Sequence, residues 1–95
     1  MNQKIIEQLK KLKPILLQKF GIEKFALFGS QARGDFTQKS DVDIVVFSMN
    51  MKSGFDLLYA KKFLEKELKR KVDIGLYNSM KTFIKKRINK DLIYV

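Results

Sequence analysis

Residues Phe28 to Phe47 read FGSQARGDFTQKSDVDIVVF, and the interpretation of this stretch decides the fold. A Gly29-Ser30 pair leaves an apolar run, a polar loop follows, and Asp41-Val42-Asp43 leads into Ile44-Val45-Val46-Phe47. If Asp43 to Phe47 is a strand, Asp41, Asp43, Val45 and Phe47 share one face, and Val42, Ile44 and Val46 share the other. Two carboxylates two residues apart on one face have Cα atoms about 6.6 Å apart. Ionised at the mouth of an apolar strand, they repel each other and resist desolvation. A divalent cation relieves both penalties. The bland alternative makes Asp41 a loop or cap residue and Asp43 an edge-strand aspartate.

Two further features favour the cation. Asp73 interrupts a second apolar run, Lys71-Val72-Asp73-Ile74-Gly75-Leu76, on the face opposite Val72, Ile74 and Leu76. Aspartates are seldom buried unpaired, so two strands each carrying one suggest a shared destination, with Gly75 leaving room beside Asp73. Gly29-Ser30, after a strand and before a Gln31-Ala32-Arg33 turn, offers free N–H groups and a hydroxyl to an anion. Carboxylates for a metal and a Gly-Ser turn for phosphate together make a nucleotide site.

That combination resembles a known family. Gly29-Ser30, ten residues, Asp41-Val42-Asp43 and a later Asp73 match the GS-x10-DxD signature of the polymerase β-like nucleotidyltransferases. Gly29-Ser30-Gln31-Ala32-Arg33-Gly34 is similar to the Gly-Ser-x-Ala-Arg-Gly segment of the minimal nucleotidyltransferase (MNT) branch. The resemblance spans essentially the whole chain and implies one domain over residues 1–95, with a palm-like fold.

It also implies roles. Asp41, Asp43 and Asp73 are the expected catalytic and metal residues, holding two Mg2+ (or Mn2+) ions. Asp41 and Asp43 would bridge to ATP, and Asp73 would lie near the acceptor hydroxyl as ligand and possible base. Gly29 and Ser30 would bind the outgoing phosphates. Arg33 either pairs with phosphate or forms a structural salt bridge. Tyr77 and Asn78 either touch the nucleotide or acceptor or, for Tyr77, simply pack. The implied partner is a HEPN-domain toxin whose tyrosine hydroxyls receive AMP, which makes the chain an antitoxin. Two rival readings stay open: a module that neutralises its partner by masking, through exposed Phe55, Tyr59 or Phe63, and a nucleotidyltransferase acting on RNA or a small molecule.

Composition narrows the chemistry. With no cysteine and no histidine among 95 residues, disulfides, thiolate zinc sites and histidine bases are excluded. Oxygen donors remain, which suit hard Mg2+ or Mn2+. The net charge of +10 comes mostly from lysine. It reads either as a solvated surface or as attraction to RNA, DNA or an acidic partner. No signal-peptide pattern opens the chain and no apolar run reaches membrane-spanning length, so a cytoplasmic location is expected.

In order, the pattern predicts an amphipathic helix to about residue 20 on an Ile5, Leu9, Leu12 and Leu16 stripe. Pro14 should kink or break it, and Gly21 should cap it. A strand over Ile22–Phe28, buried on both faces, precedes the Gly-Ser turn, and Asp35 is a turn residue. After the Asp43 strand, Ser53-Gly54-Phe55-Asp56 resembles a capping box for a helix ending near Lys69. The Asp73 strand follows. A last helix, capped by Asn78 or Ser79, carries Met80, Phe83, Ile84 and Ile88 inward, and Leu92–Val95 adds a short strand. The fold class is therefore α/β (α+β). A small mixed sheet of three to four strands is flanked by helices, with strand one antiparallel to strand two and strand two parallel to strand three.

Overall fold

The computed structural model describes residues 2–95. Helix α1 (Gln3–Phe20) starts where the Asn2 side chain accepts a hydrogen bond from the Ile5 amide, and it ends at Gly21 in the left-handed region, φ +72°. A side chain at Gly21 would run into the Asn50 carbonyl, so the cap is closed to other residues. Of the kink or break its sequence suggests, Pro14 makes no break; the helix is continuous through it. Pro14 lies on the solvent side, where the carbonyl it leaves unpaired can turn to water. Buried Ile5, Ile6, Leu9, Leu16 and Phe20 hold the helix down across it.

Strand β1 (Ile22–Phe28) follows, then a single turn α2 (Ser30–Arg33) and strand β2 (Val42–Met49). Helix α3 (Asp56–Leu68), strand β3 (Val72–Leu76), a 3-10 turn (Tyr77–Ser79), helix α4 (Thr82–Ile88) and strand β4 (Ile93–Tyr94) complete the chain. The sheet order is β3-β2-β1-β4. β1 is antiparallel to β2 and to β4, and β2 is parallel to β3 through the α3 crossover. This is the mixed sheet expected. No helix among the described residues is long and apolar enough to cross a membrane.

The alternation along β2 separates two cores. Val42, Ile44 and Val46 join Phe25, Leu27 and Val72 beneath α1 and α3. Ala26 and Val45 face the other way, under Ile84 and Ile88 of α4. From Phe25 to Leu27 β1 is buried on both faces, as that apolar run requires, while Glu23 and Lys24 before it are exposed. The α4 face is also the aspartate face. A lining helix therefore covers its middle and leaves one end open.

Local expectations about the helix starts need correction. α3 opens two residues late for a full capping box: the Asp56 carboxylate accepts from the Lys52 and Ser53 amides. Ser53 Oγ, however, accepts from Phe55 N, which is too near in sequence to count as the third helical position. The amide bonds hold the Asp56 carboxyl below its usual range. Neither Asn78 nor Ser79 caps α4, because both are wound into the 3-10 turn and the helix starts at Thr82 behind Lys81. Phe83, expected inward, is 61% exposed. At about 100° per residue, Phe83 lies roughly 120° round the helix from the direction shared by Ile84 and Ile88, so those two pack and it does not.

Candidate active site

Asp43 is the centre of the open end. On β2 it is opposite Phe28 of β1 on one side and Asp73 of β3 on the other. Neighbouring strands bring such register partners to about 5 Å. Asp41 lies one step before β2, and the Val42 amide donates to the Lys71 carbonyl at 2.9 Å, fixing the two strand starts together. The fold thus collects all three aspartates at one edge of one face.

The chain reverses beside Asp43 at Gly29, φ +76°. A Cβ built there would collide with the Asp43 carboxylate. Glycine is required twice over, by its backbone conformation and by the close approach. The Gly29 carbonyl accepts from the Ala32 and Arg33 amides, starting α2, while the amides of Ser30 and Gln31 precede any intrahelical acceptor. Gly29→Ala should therefore cost about 1–3 kcal/mol of stability and displace Asp43. A thermal melt together with loss of nucleotide binding checks this, and unchanged values for both would refute it.

Electrostatics set Asp43 apart. Burial, then the charges of Asp73 and Asp41, push its carboxyl from 3.8 up to about 6, against a smaller lowering by Arg33. A carboxylate whose ionisation is opposed first by burial and then by neighbouring acids is a group in need of a cation. The oxygen-only donor set fits a hard ion such as Mg2+. As placed, no three acidic side chains among the described residues are gathered into a ligating cluster.

An open cleft of about 450 Å³ lies over Asp43, lined by Gly29, Ser30, Arg33, Arg87 and Asp91, with Phe28, Ile84 and Ile88 as its apolar part. Arg33 is paired: it reaches Asp35 and Asp91, each at 3.3 Å. Asp35, expected as a plain turn residue, thus holds Arg33. Tyr77 and Asn78 are away from the aspartates. Tyr77 stacks on Phe47 at 4.7 Å and exchanges hydrogen bonds with Asn89, and Asn78 is exposed near Met51. The space expected beside Gly75 is filled by the end of Met80. Phe55, just before α3, and Tyr59 on it are exposed, but Phe63 is half-buried against Phe20 at 5.3 Å.

The sequence reading missed three of these residues. Arg87 in the last turn of α4 and Asp91 in the turn after it lie in a lysine-rich stretch and carry no local signature. Gln31 occupies the variable position of the Gly-Ser motif, yet it is fully buried. Its amide donates to the Ser40 carbonyl at 3.3 Å, and its oxygen accepts from Asn2 at 2.7 Å.

Comparison with known proteins identifies the family and the fold. The model of the nucleotidyltransferase domain family matches residues 9–95. A Methanocaldococcus jannaschii chain, provisionally named a protein adenylyltransferase, is 45% identical over 96% of this chain and 94% of its own. A solved structure provisionally described as a minimal nucleotidyltransferase superposes with a TM-score of 0.78 at 24% identity, covering 98% of this chain and 95% of that one. A toxin–antitoxin crystal structure with AMP-PNP gives 0.69 at 22% identity over 98% and 70%. At these identities the two structures speak for the fold, while the family match and the 45% relative reach across the aspartates and the Gly-Ser turn. On that ground the chain belongs to the nucleotidyltransferase domain family.

Proposed function

We propose that this chain transfers AMP from ATP to tyrosine hydroxyls of a HEPN-type toxin and so acts as its antitoxin. The observation that carries the reading is the pairing of Asp43 with Asp73 across two parallel strands, in front of the Gly29-Ser30 turn. The name of the 45% relative supports adenylyl transfer. The toxin–antitoxin neighbour with AMP-PNP supports the partner and the adenine nucleotide.

Asp41, Asp43 and Asp73 would hold two Mg2+ ions, which when bound supply Lewis-acid stabilisation of the attacking and leaving oxygens. Ser30 and the adjoining amides bind the β,γ-phosphates. Asp73 accepts the proton of the tyrosine hydroxyl as its oxygen bonds to the α-phosphorus. The bond from that phosphorus to the β-phosphate oxygen breaks, and diphosphate leaves.

Intact-mass spectrometry tests this. After incubation with Mg2+ and ATP, a HEPN-type partner should gain whole adenylate masses, and none beside Asp41→Asn/Asp43→Asn. A stable complex without mass gain would overturn transfer in favour of masking. The exposed Phe55 and Tyr59, at the start of a helix that packs the sheet's other face, give that second reading its surface.

A further inference from the structure

The cleft holds two arginines in different circumstances. Arg33, inside the Gly-Ser segment, is the one the motif points to. Its guanidinium is already shared between Asp35 and Asp91, one bond to each. Those carboxylates raise its pKa above the ordinary arginine value, Asp91 foremost. Taken together, Arg33, Asp35 and Asp91 carry a net negative charge and offer a polyphosphate no net attraction.

Arg87 differs. It lines the same cleft from α4, facing Ser30 and Asp43 across the opening. Among the described residues it has neither an ion pair nor a side-chain hydrogen bond. No lysine lines the cleft, although lysines dominate the chain. Its five N–H donors are thus the uncommitted cationic donors there, in the fork that suits phosphate oxygens.

We propose that Arg87, and not Arg33, is the arginine that binds the triphosphate of the nucleotide, Arg33 being a positioning residue that ties the Gly-Ser turn to the segment after α4 through Asp91. The inference rests on the nucleotidyltransferase reading of the cleft. It gives α4 two functions on one face: Ile84 and Ile88 close the core, and Arg87 reaches over the open end. The nucleotide then lies between the β1–α2 turn and α4, with phosphate donors on both walls.

The test compares Mg2+-ATP and adenosine as ligands of the full chain, by calorimetric titration and competition. Charge-assisted hydrogen bonds set the scale. Arg87→Ala should weaken ATP roughly 10- to 100-fold, leave adenosine unchanged and melt like the wild type. Arg87→Lys, with charge but no fork, should fall between. Arg33→Ala should lower the melting temperature and weaken ATP less than Arg87→Ala does. The proposal is overturned if Arg87→Ala binds ATP within about twofold of wild type, if adenosine weakens equally, or if Arg33→Ala costs more. A wild type that binds no ATP would sink the nucleotide reading itself, an outcome distinct from a wild type and an Arg87 variant that bind alike.

Discussion

Asp43→Asn should make the metal-free protein more stable while abolishing transfer. The folded state holds the Asp43 proton more tightly than the unfolded chain does, with the carboxyl raised from 3.8 to about 6. A group of this kind favours the fold at low pH. Its contribution is lost as pH rises between those two values, and above about 6 the fold bears the whole cost of the ionised group. The full shift corresponds to about 3 kcal/mol. Asp43 is only half-buried, and solvent screening reduces that to about 1 kcal/mol. Asparagine removes the charge and keeps the shape. In EDTA at pH 8 the variant should melt about 4–8 °C above wild type, and at pH 4 the gap should close.

Mg2+ should reverse the order by stabilising the wild type and not the variant. Transfer should fall at least about a thousandfold, since metal stabilisation of the transition state is worth several kcal/mol. Differential scanning fluorimetry at two pH values, with and without Mg2+, reads the first effect, and adenylate incorporation reads the second. A variant that melts below wild type in EDTA at pH 8 would show that Asp43 is not under electrostatic strain.

The same residue shows why so much of the site was legible in the sequence. A period-2 apolar pattern fixes which face each side chain takes. Asp41, Asp43 and Asp73 could therefore be assigned to one face from the residues alone, and the α3 crossover then made β2 and β3 parallel neighbours. What local pattern could not supply was the other wall. Arg87 reaches the cleft only because α4 crosses the aspartate face, and where α4 begins depends on a 3-10 turn at Tyr77–Ser79 that Asn78 and Ser79 gave reason to read as a cap. Phe83 is exposed because it lies well round the helix from Ile84 and Ile88, which take the packed face. Pro14 failed as a helix breaker for a related reason: tertiary burial of the residues on either side outweighed a local rule.

Gln31→Leu should be among the most destabilising single substitutions in the chain, and it should disable the site without touching a carboxylate. Gln31 is 0% exposed, and its side-chain amide spans three segments. Its oxygen takes the Asn2 side-chain amide, and its nitrogen holds the Ser40 carbonyl one residue before Asp41. Its own carbonyl accepts from the Asn2 amide at 2.8 Å, so the start of α1, the Gly-Ser turn and the approach to Asp41 meet at one side chain. Leucine fills much of the volume but strands the Asn2 amide and the Ser40 carbonyl. Each lost partner costs about 1–3 kcal/mol, for a total of about 3 kcal/mol and a drop in melting temperature above 12 °C or so.

Gln31→Glu separates the two bonds. An ionised glutamate still accepts from Asn2 but cannot donate to Ser40; once protonated, it can do both. Burial raises a glutamate above its free value of about 4.3, so this variant should approach wild-type stability at pH 4–5 and lose it as pH rises. The leucine variant should be equally weak at both. If Gln31→Leu melts within a few degrees of wild type, the three segments hold without this bridge and Asp41 is positioned by the β2–β3 pairing alone. If it melts low but recovers full transfer at a temperature where it is folded, Gln31 supports the fold and not the site. The expected result is a low melt with transfer still depressed, because the Ser40 tether, more than the fold as a whole, keeps Asp41 beside Asp43.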